Sequence, residues 1–193
     1  MRKFVRKRDV VSTRMSPHEI SILRSLCQQL GGLLAEAVGD PGVAPAAESD
    51  DPFAQWAREL AVGSFTPELP DDPAVRRLFP NPYPHDERAA TDFRRFTARD
   101  QRDRKLIDLD VVTADLDASD NGAQPVRIVT DHVGAWLRTL TSMRLVVAAR
   151  LGITDSEVDD ELREMPDSDP RAFMYSVYQW LGFAQETLVT ALE

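Results

Sequence analysis

Catalysis by a protein needs side chains that can move protons, attack, or hold a metal; here the carboxylates are many but lie mostly in charge-rich segments that read as hydrated surface, and the histidines and cysteine are few. His18, His85 and His132 lie far apart in the chain. None stands in a His-Glu-x-x-His arrangement, which would set two imidazoles on one helical face around a zinc ion. Cys27 is the single cysteine, which excludes an internal disulfide and any zinc site built from several thiolates. Gly31-Gly32 falls inside a helical pattern and not at a strand-to-helix turn, so no glycine-rich loop presents amides to a phosphate. No Gly-x-Ser-x-Gly elbow offers a serine nucleophile. Asp117-x-Ser119-x-Asn121-Gly122 opens like a calcium loop, but its closing carboxylate position is Ile128 and Pro125 interrupts it, so the stretch reads as a turn. The expectation is a protein with no catalytic residue, no metal and no cofactor.

Several polar residues still call for a physical account. Cys27 sits at the edge of a helical apolar stripe, where a small buried hydrophobe is the plain reading and a redox-active thiol the sharper one. Arg144 falls on the same helical side as Val133, Leu137, Leu140, Val147 and Leu151, and a charge there needs partners. Gln185 lies near the stripe of the last helix, so a polar link between Arg144 and Gln185, or a nearby acid, is expected. Such a link either fixes helix register or forms an anion site. Arg2, Lys3, Arg6, Lys7 and Arg8 make a basic patch, and Arg94, Arg95 and Arg99 belong to a second one mixed with Asp92, Asp100 and Asp103. Both read as solvated surface or, in the functional alternative, as contacts for an acidic partner or nucleic acid.

The elements that must position these residues follow from periodicity. Residues 1–15 read as a β-hairpin or extended arm turning at Arg8-Asp9. Ser16-Pro17-His18-Glu19 is a capping-box start for a helix over 16–38. Gly, Pro, Ala and acidic residues make 39–50 a loop, and Phe53, Trp56 and Leu60 mark a helix over 51–62. Repeated prolines make 63–85 an irregular strap. Residues 86–117 read as a helix, continuous or split in two, and 126–129 as a short strand that could join the hairpin. A helix over 130–151 stops at Gly152, with Thr130 as its cap, and 152–169 reads as an acidic loop. The last helix spans 170–192, and its Phe173, Trp180 and Phe183 extend hydrophobicity beyond one stripe, as expected of a central helix or one under a subunit contact. The predicted fold is mainly α: a single-domain helical bundle over 1–193 with a small N-terminal β-hairpin and a third short strand as an optional partner.

Composition bounds the function. With 42% hydrophobic and 28% charged residues the chain can bury a core. No stretch is apolar enough to cross a bilayer and no secretory leader is visible, so a cytoplasmic location and no membrane partner are expected. A net charge of -9 repels the nucleic-acid backbone at long range, which leaves direct DNA binding to the local basic arm alone. Protein contact is then the expected mode of action, and a homodimer stays open.

Arg6-Lys7-Arg8-Asp9, Phe93-Arg94-Arg95-Phe96-Thr97, Trp136-Leu137-Arg138 through Arg144-Leu145, and Arg150-Leu151-Gly152 occur in this order along the chain. With Tyr175-x-x-Tyr178-Gln179-Trp180-Leu181-Gly182-x-x-Gln185-Glu186-Thr187-Leu188, they make the sequence resemble the actinobacterial AosR-type oxidative-stress transcriptional regulators. That resemblance implies a non-enzymatic regulator working with RNA polymerase or a sigma factor. The alternative is an interaction adaptor in another process, such as regulated proteolysis. A cysteine-pair redox switch, proposed within that family, does not carry over to a chain whose only cysteine is Cys27.

Overall fold

The computed structural model describes residues 1–38 and 71–193. The expected loop over 39–50, the helix over 51–62 and the first part of the strap, 63–70, lie outside the described residues. The fold is mainly α with a small antiparallel sheet, ordered β1 (Val5–Lys7), β2 (Val10–Thr13), α1 (Pro17–Ala37), α2 (Pro73–Leu78), α3 (Glu87–Asp117), β3 (Val126–Val129), α4 (Thr130–Leu151), α5 (Ser156–Arg163) and α6 (Ala172–Thr190).

Local chemistry explains each start and stop. Arg8 takes the left-handed φ of 56° that a tight hairpin needs, and the sheet runs β1-β2-β3, with Val11 opposite Ile128 and both side chains buried. At α1 the Ser16 hydroxyl accepts the Glu19 amide at 3.3 Å, while the Glu19 carboxylate accepts the Ser16 amide at 2.7 Å. The same carboxylate meets the N-terminal ammonium of Met1. The helix then buries Ile20, Leu23, Cys27, Leu30, Leu34 and Ala37. Residues 86–117 resolve as one unbroken helix, α3, capped by Asp86.

Three expectations are corrected. Part of the strap is helical: Asp72 caps α2 through the Ala74 amide at 2.8 Å, and Pro73 occupies a first-turn position where its missing N–H is harmless. The acidic loop contains α5, because Asp155 accepts the amides of Glu157 and Val158 at 3.0 and 3.1 Å and acidic residues suit a first helical turn. Thr130 does not cap α4; Val129 holds the cap position, and the Thr130 hydroxyl instead donates to the Asp9 carbonyl at 3.0 Å, tying the helix to the hairpin turn.

The hub is α4, which packs against α1, α2, α3, α6 and β3, and not the C-terminal helix. Trp136 of α4 is 0% exposed, lies edge-on to Phe4 and donates its Nε1–H to Asp115 Oδ2 at 2.8 Å. Asp115 also meets His132 Nδ1 at 3.0 Å, and two helical turns earlier Asp108 accepts a bidentate fork from Arg138 with both bonds at 2.7 Å. These pairs fix α3 against α4 in one register. Asp72, on the opposite flank, takes a second fork from Arg150 at 2.9 and 2.7 Å.

The Arg150 hydrogen bonds, joined by the α2 amides, hold the Asp72 carboxyl below its ordinary range. A depressed folded-state pKa contributes stability that is complete above about pH 4, the unfolded carboxyl's range, and is lost as pH falls through the folded value. Asp72→Asn keeps a cap acceptor but removes the charge. The difference in urea midpoint between Asp72→Asn and the natural protein should be largest near pH 7 and shrink as pH falls below about 4. A difference that does not change with pH would contradict this assignment.

Candidate protein-contact site

Helices α4 and α6 lie side by side, and their contact contains a polar network. Thr141, Arg144 and Ala148 are three and four residues apart on α4, and Tyr178, Gly182 and Gln185 four and three apart on α6, so each set shares one helical face. Arg144 Nη1 donates to Gln185 Oε1 at 3.1 Å, and Gln185 Nε2 donates to the Thr141 hydroxyl at 2.8 Å. The Thr141 hydroxyl donates in turn to the Leu137 carbonyl at 2.8 Å. The Arg144 guanidinium lies 5.2 Å from the centre of the Tyr178 ring, and a methyl group on Gly182 would stand 3.6 Å from its carbon. An aromatic face and bare backbone therefore flank the cation, an arrangement suited to the flat guanidinium. Arg144 Nε is buried with no hydrogen-bond partner.

This network forms one wall of a cleft of about 830 Å³, whose other wall comes from α2 and the residues around α5. Arg76 and Arg77 enter from α2, and Asp155 and Asp159 from α5 and its cap. Arg76 pairs with Asp71, and Arg77 donates to the Ile153 carbonyl. Asp159 is engaged by Arg163 at 3.0 Å and by the Tyr175 hydroxyl at 3.2 Å. Among the described residues, neither Arg77 nor Arg144 has a carboxylate partner.

A second depression, about 680 Å³, runs between α1, α4 and α6 and is mainly apolar, with Ile22, Leu26, Leu33, Val146, Phe173 and Met174 in its walls. Its charged residues are Glu36 and Arg150, one of each sign, so charge selects no occupant for it.

The other residues singled out from sequence are distributed as follows. Arg2, Lys3, Arg6, Lys7 and Arg8 are exposed on the hairpin, where Arg6 reaches the Leu192 carbonyl at 3.4 Å. Arg94, Arg95 and Arg99 lie on α3, a separate element: Arg94 bonds Thr91 at 3.2 Å, Arg95 stacks on Phe96, and Arg99 is half-buried. Phe173 is 64% exposed in the first turn of α6, so it is not a core residue; Phe183 is also exposed, and Trp180 is half-buried against the core. Sequence reasoning did not assign Arg77, Tyr178 or Gly182 to a site. The four-and-three spacing of Tyr178, Gly182 and Gln185 was the available signal for two of them.

Cys27 is buried in the core, and burial pushes its thiol up to about 11, with a Thr113 hydrogen bond acting in the opposite direction. The thiolate is the reactive form, so two pH units of upward shift alone slow its chemistry by about 100-fold. Ellman's reagent should therefore leave the folded protein unmodified on a timescale that labels it fully in urea. Fast labelling of folded protein would show that the thiol is accessible and ionised.

Among the described residues no group of three His, Cys, Asp or Glu side chains is placed to hold a metal, and no helix is long and apolar enough to cross a membrane. A family model described as "Domain of unknown function (DUF2017)" matches residues 1–192. The chain is 28% identical, over 92% of its length and 80% of the relative's, to the "Putative oxidative stress regulator AosR" of Mycobacterium leprae (strain TN). Identity and coverage are the same for the "Oxidative stress regulator AosR" of Mycobacterium tuberculosis (strain ATCC 25618 / H37Rv) and of Mycobacterium bovis (strain ATCC BAA-935 / AF2122/97). No solved structure matches the chain.

Proposed function

The chain belongs to the DUF2017 family, and from that premise we propose that it is a non-enzymatic regulator of the oxidative-stress response, acting in the cytoplasm by contact with RNA polymerase or a sigma factor. The observation that carries this reading is the likeness, along 92% of the chain, to proteins named oxidative stress regulators. Two physical features support protein contact as the means. The net charge of -9 opposes approach to DNA, and the α4–α6 cleft holds guanidinium groups without carboxylate partners among the described residues. Cys27 is buried and its thiol is shifted upward, which favours a signal that reaches the protein through a partner or through other residues.

Affinity capture of the tagged full chain from peroxide-stressed cells, after brief crosslinking, tests the reading. Recovery of polymerase subunits or a sigma factor is the expected result. Recovery of protease and chaperone components in their place would overturn it in favour of an adaptor.

A further inference from the structure

We infer that the cleft between α2, α4 and α6 is a docking site for an acidic segment of a protein partner, with a side-chain carboxylate received by Arg144 and Arg77. The inference rests on the reading of this chain as one that works through protein contact, and it names the chemistry of that contact.

A guanidinium carries five N–H donors. Within the described residues Arg144 has a single acceptor, the Gln185 side-chain oxygen, and Arg77 a single one, the Ile153 carbonyl. Arg144 Nε is buried without an acceptor, so a ligand in the cleft would be received by the Nη hydrogens that Gln185 leaves over. The carboxylates that line the cleft do not take them. Asp155 is spent on the amides of Glu157 and Val158 and the Thr154 hydroxyl, and Asp159 on Arg163 and Tyr175. With Arg76 paired to Asp71 and Asp159 to Arg163, the charges of the lining left without an ion-pair partner among the described residues are Arg77 and Arg144 against Asp155, a local excess of positive charge on a chain of charge -9.

The ligand class follows from this geometry. The Tyr178 ring lies 5.2 Å from the Arg144 guanidinium carbon and the Gly182 backbone close beside it, contacts that suit a flat cation and leave edge-on approach as the geometry in which a carboxylate accepts two parallel N–H bonds. The cleft's volume of about 830 Å³ would be mostly empty around a lone anion, and the aliphatic Pro80 and Leu145 line it beside the arginines. A stretch of polypeptide with carboxylates next to aliphatic side chains satisfies both features. Charge complementarity, and not apolar area, selects this occupant.

The test uses the full chain and a blocked hexaglutamate peptide, followed by the NMR signals of the arginine Nε–H groups. Hexaglutamate should shift the Arg144 and Arg77 signals, bind more weakly as salt rises, and lose about ten-fold in affinity in Arg144→Lys, which keeps the charge but not the fork. Arg77→Gln, on a short peripheral helix, should weaken binding as well, and circular dichroism checks that both variants fold. Shifts confined to Arg2, Arg6 and Arg8, or affinity unchanged in both folded variants, would overturn the assignment. Equal binding by glutarate or inorganic phosphate would overturn it in favour of a small-anion site. If Arg144→Lys still captures polymerase or sigma factor from cells, this cleft is not the contact although protein contact as the function stands.

Discussion

Trp136→Ala lowers the unfolding free energy by about 3–5 kcal/mol, the largest single loss expected in this protein. The indole is 0% exposed in the second turn of the hub helix, packed edge-on to Phe4 and bonded to Asp115 of α3, so its removal leaves a cavity where these elements meet. It also removes the Nε1–H donor to Asp115, whose remaining side-chain partner is His132 at 3.0 Å. Trp136→Phe separates the two contributions in part: it keeps a six-membered ring but loses the donor and about a third of the ring atoms, for an intermediate loss of about 1–3 kcal/mol. Urea unfolding followed by circular dichroism reads both. A loss below about 1 kcal/mol for the alanine variant would mean that the core is not organised around this side chain.

Gly122→Ala is expected to be nearly as damaging, for a different reason. The turn between α3 and β3 holds Asp120, Asn121 and Gly122 at φ of 49°, 51° and 87° in succession. A β-carbon at position 122 would stand 2.7 Å from the Met15 carbonyl oxygen, a backbone atom that cannot rotate away. The left-handed conformation costs an alanine about 1–2 kcal/mol and the forced overlap a similar amount or more, so about 2–4 kcal/mol is lost in all. Gly152→Ala is the control: its φ is 75° but a β-carbon there meets nothing within 4 Å, so it carries the conformational cost alone. Equal losses at the two positions, read from urea midpoints, would show that the approach of Gly122 to Met15 is not a constraint.

The long elements were legible because apolar residues recur at helical spacing over many turns. Ser16-Pro17-His18-Glu19 starts α1, and Gly152 at φ 75° ends α4, for reasons that residue type alone dictates. The short helices α2 and α5 were hidden by composition: prolines surround one and acids the other, and each is set mainly by a capping aspartate, Asp72 or Asp155. Which helix would be the hub was not legible. Aromatic residues on two sides of α6 suggested burial, but Phe173 lies in its first turn and stays wet, while α4 gains its position from what surrounds it. The site was half legible. Arg144 and Gln185 each lie on an apolar stripe and so needed polar partners, and they meet at 3.1 Å. Arg77 comes from a distant part of the chain, and only the packing of α2 on α4 places it in the same cleft.

The resemblance-bearing stretch in the last helix also acquires a physical meaning. Tyr178 supplies a ring face for the Arg144 cation, Gly182 leaves room for the guanidinium, and Gln185 holds one of its nitrogens. Those roles concern one arginine on the neighbouring helix, and they leave that arginine without a carboxylate among the described residues.

Sedimentation velocity of the purified full chain with purified RNA polymerase holoenzyme, with and without promoter DNA, tests protein contact most directly. A stable complex that forms without DNA is the predicted result. A chain that leaves polymerase and sigma factor unbound, yet slows promoter DNA on its own, would contradict the account.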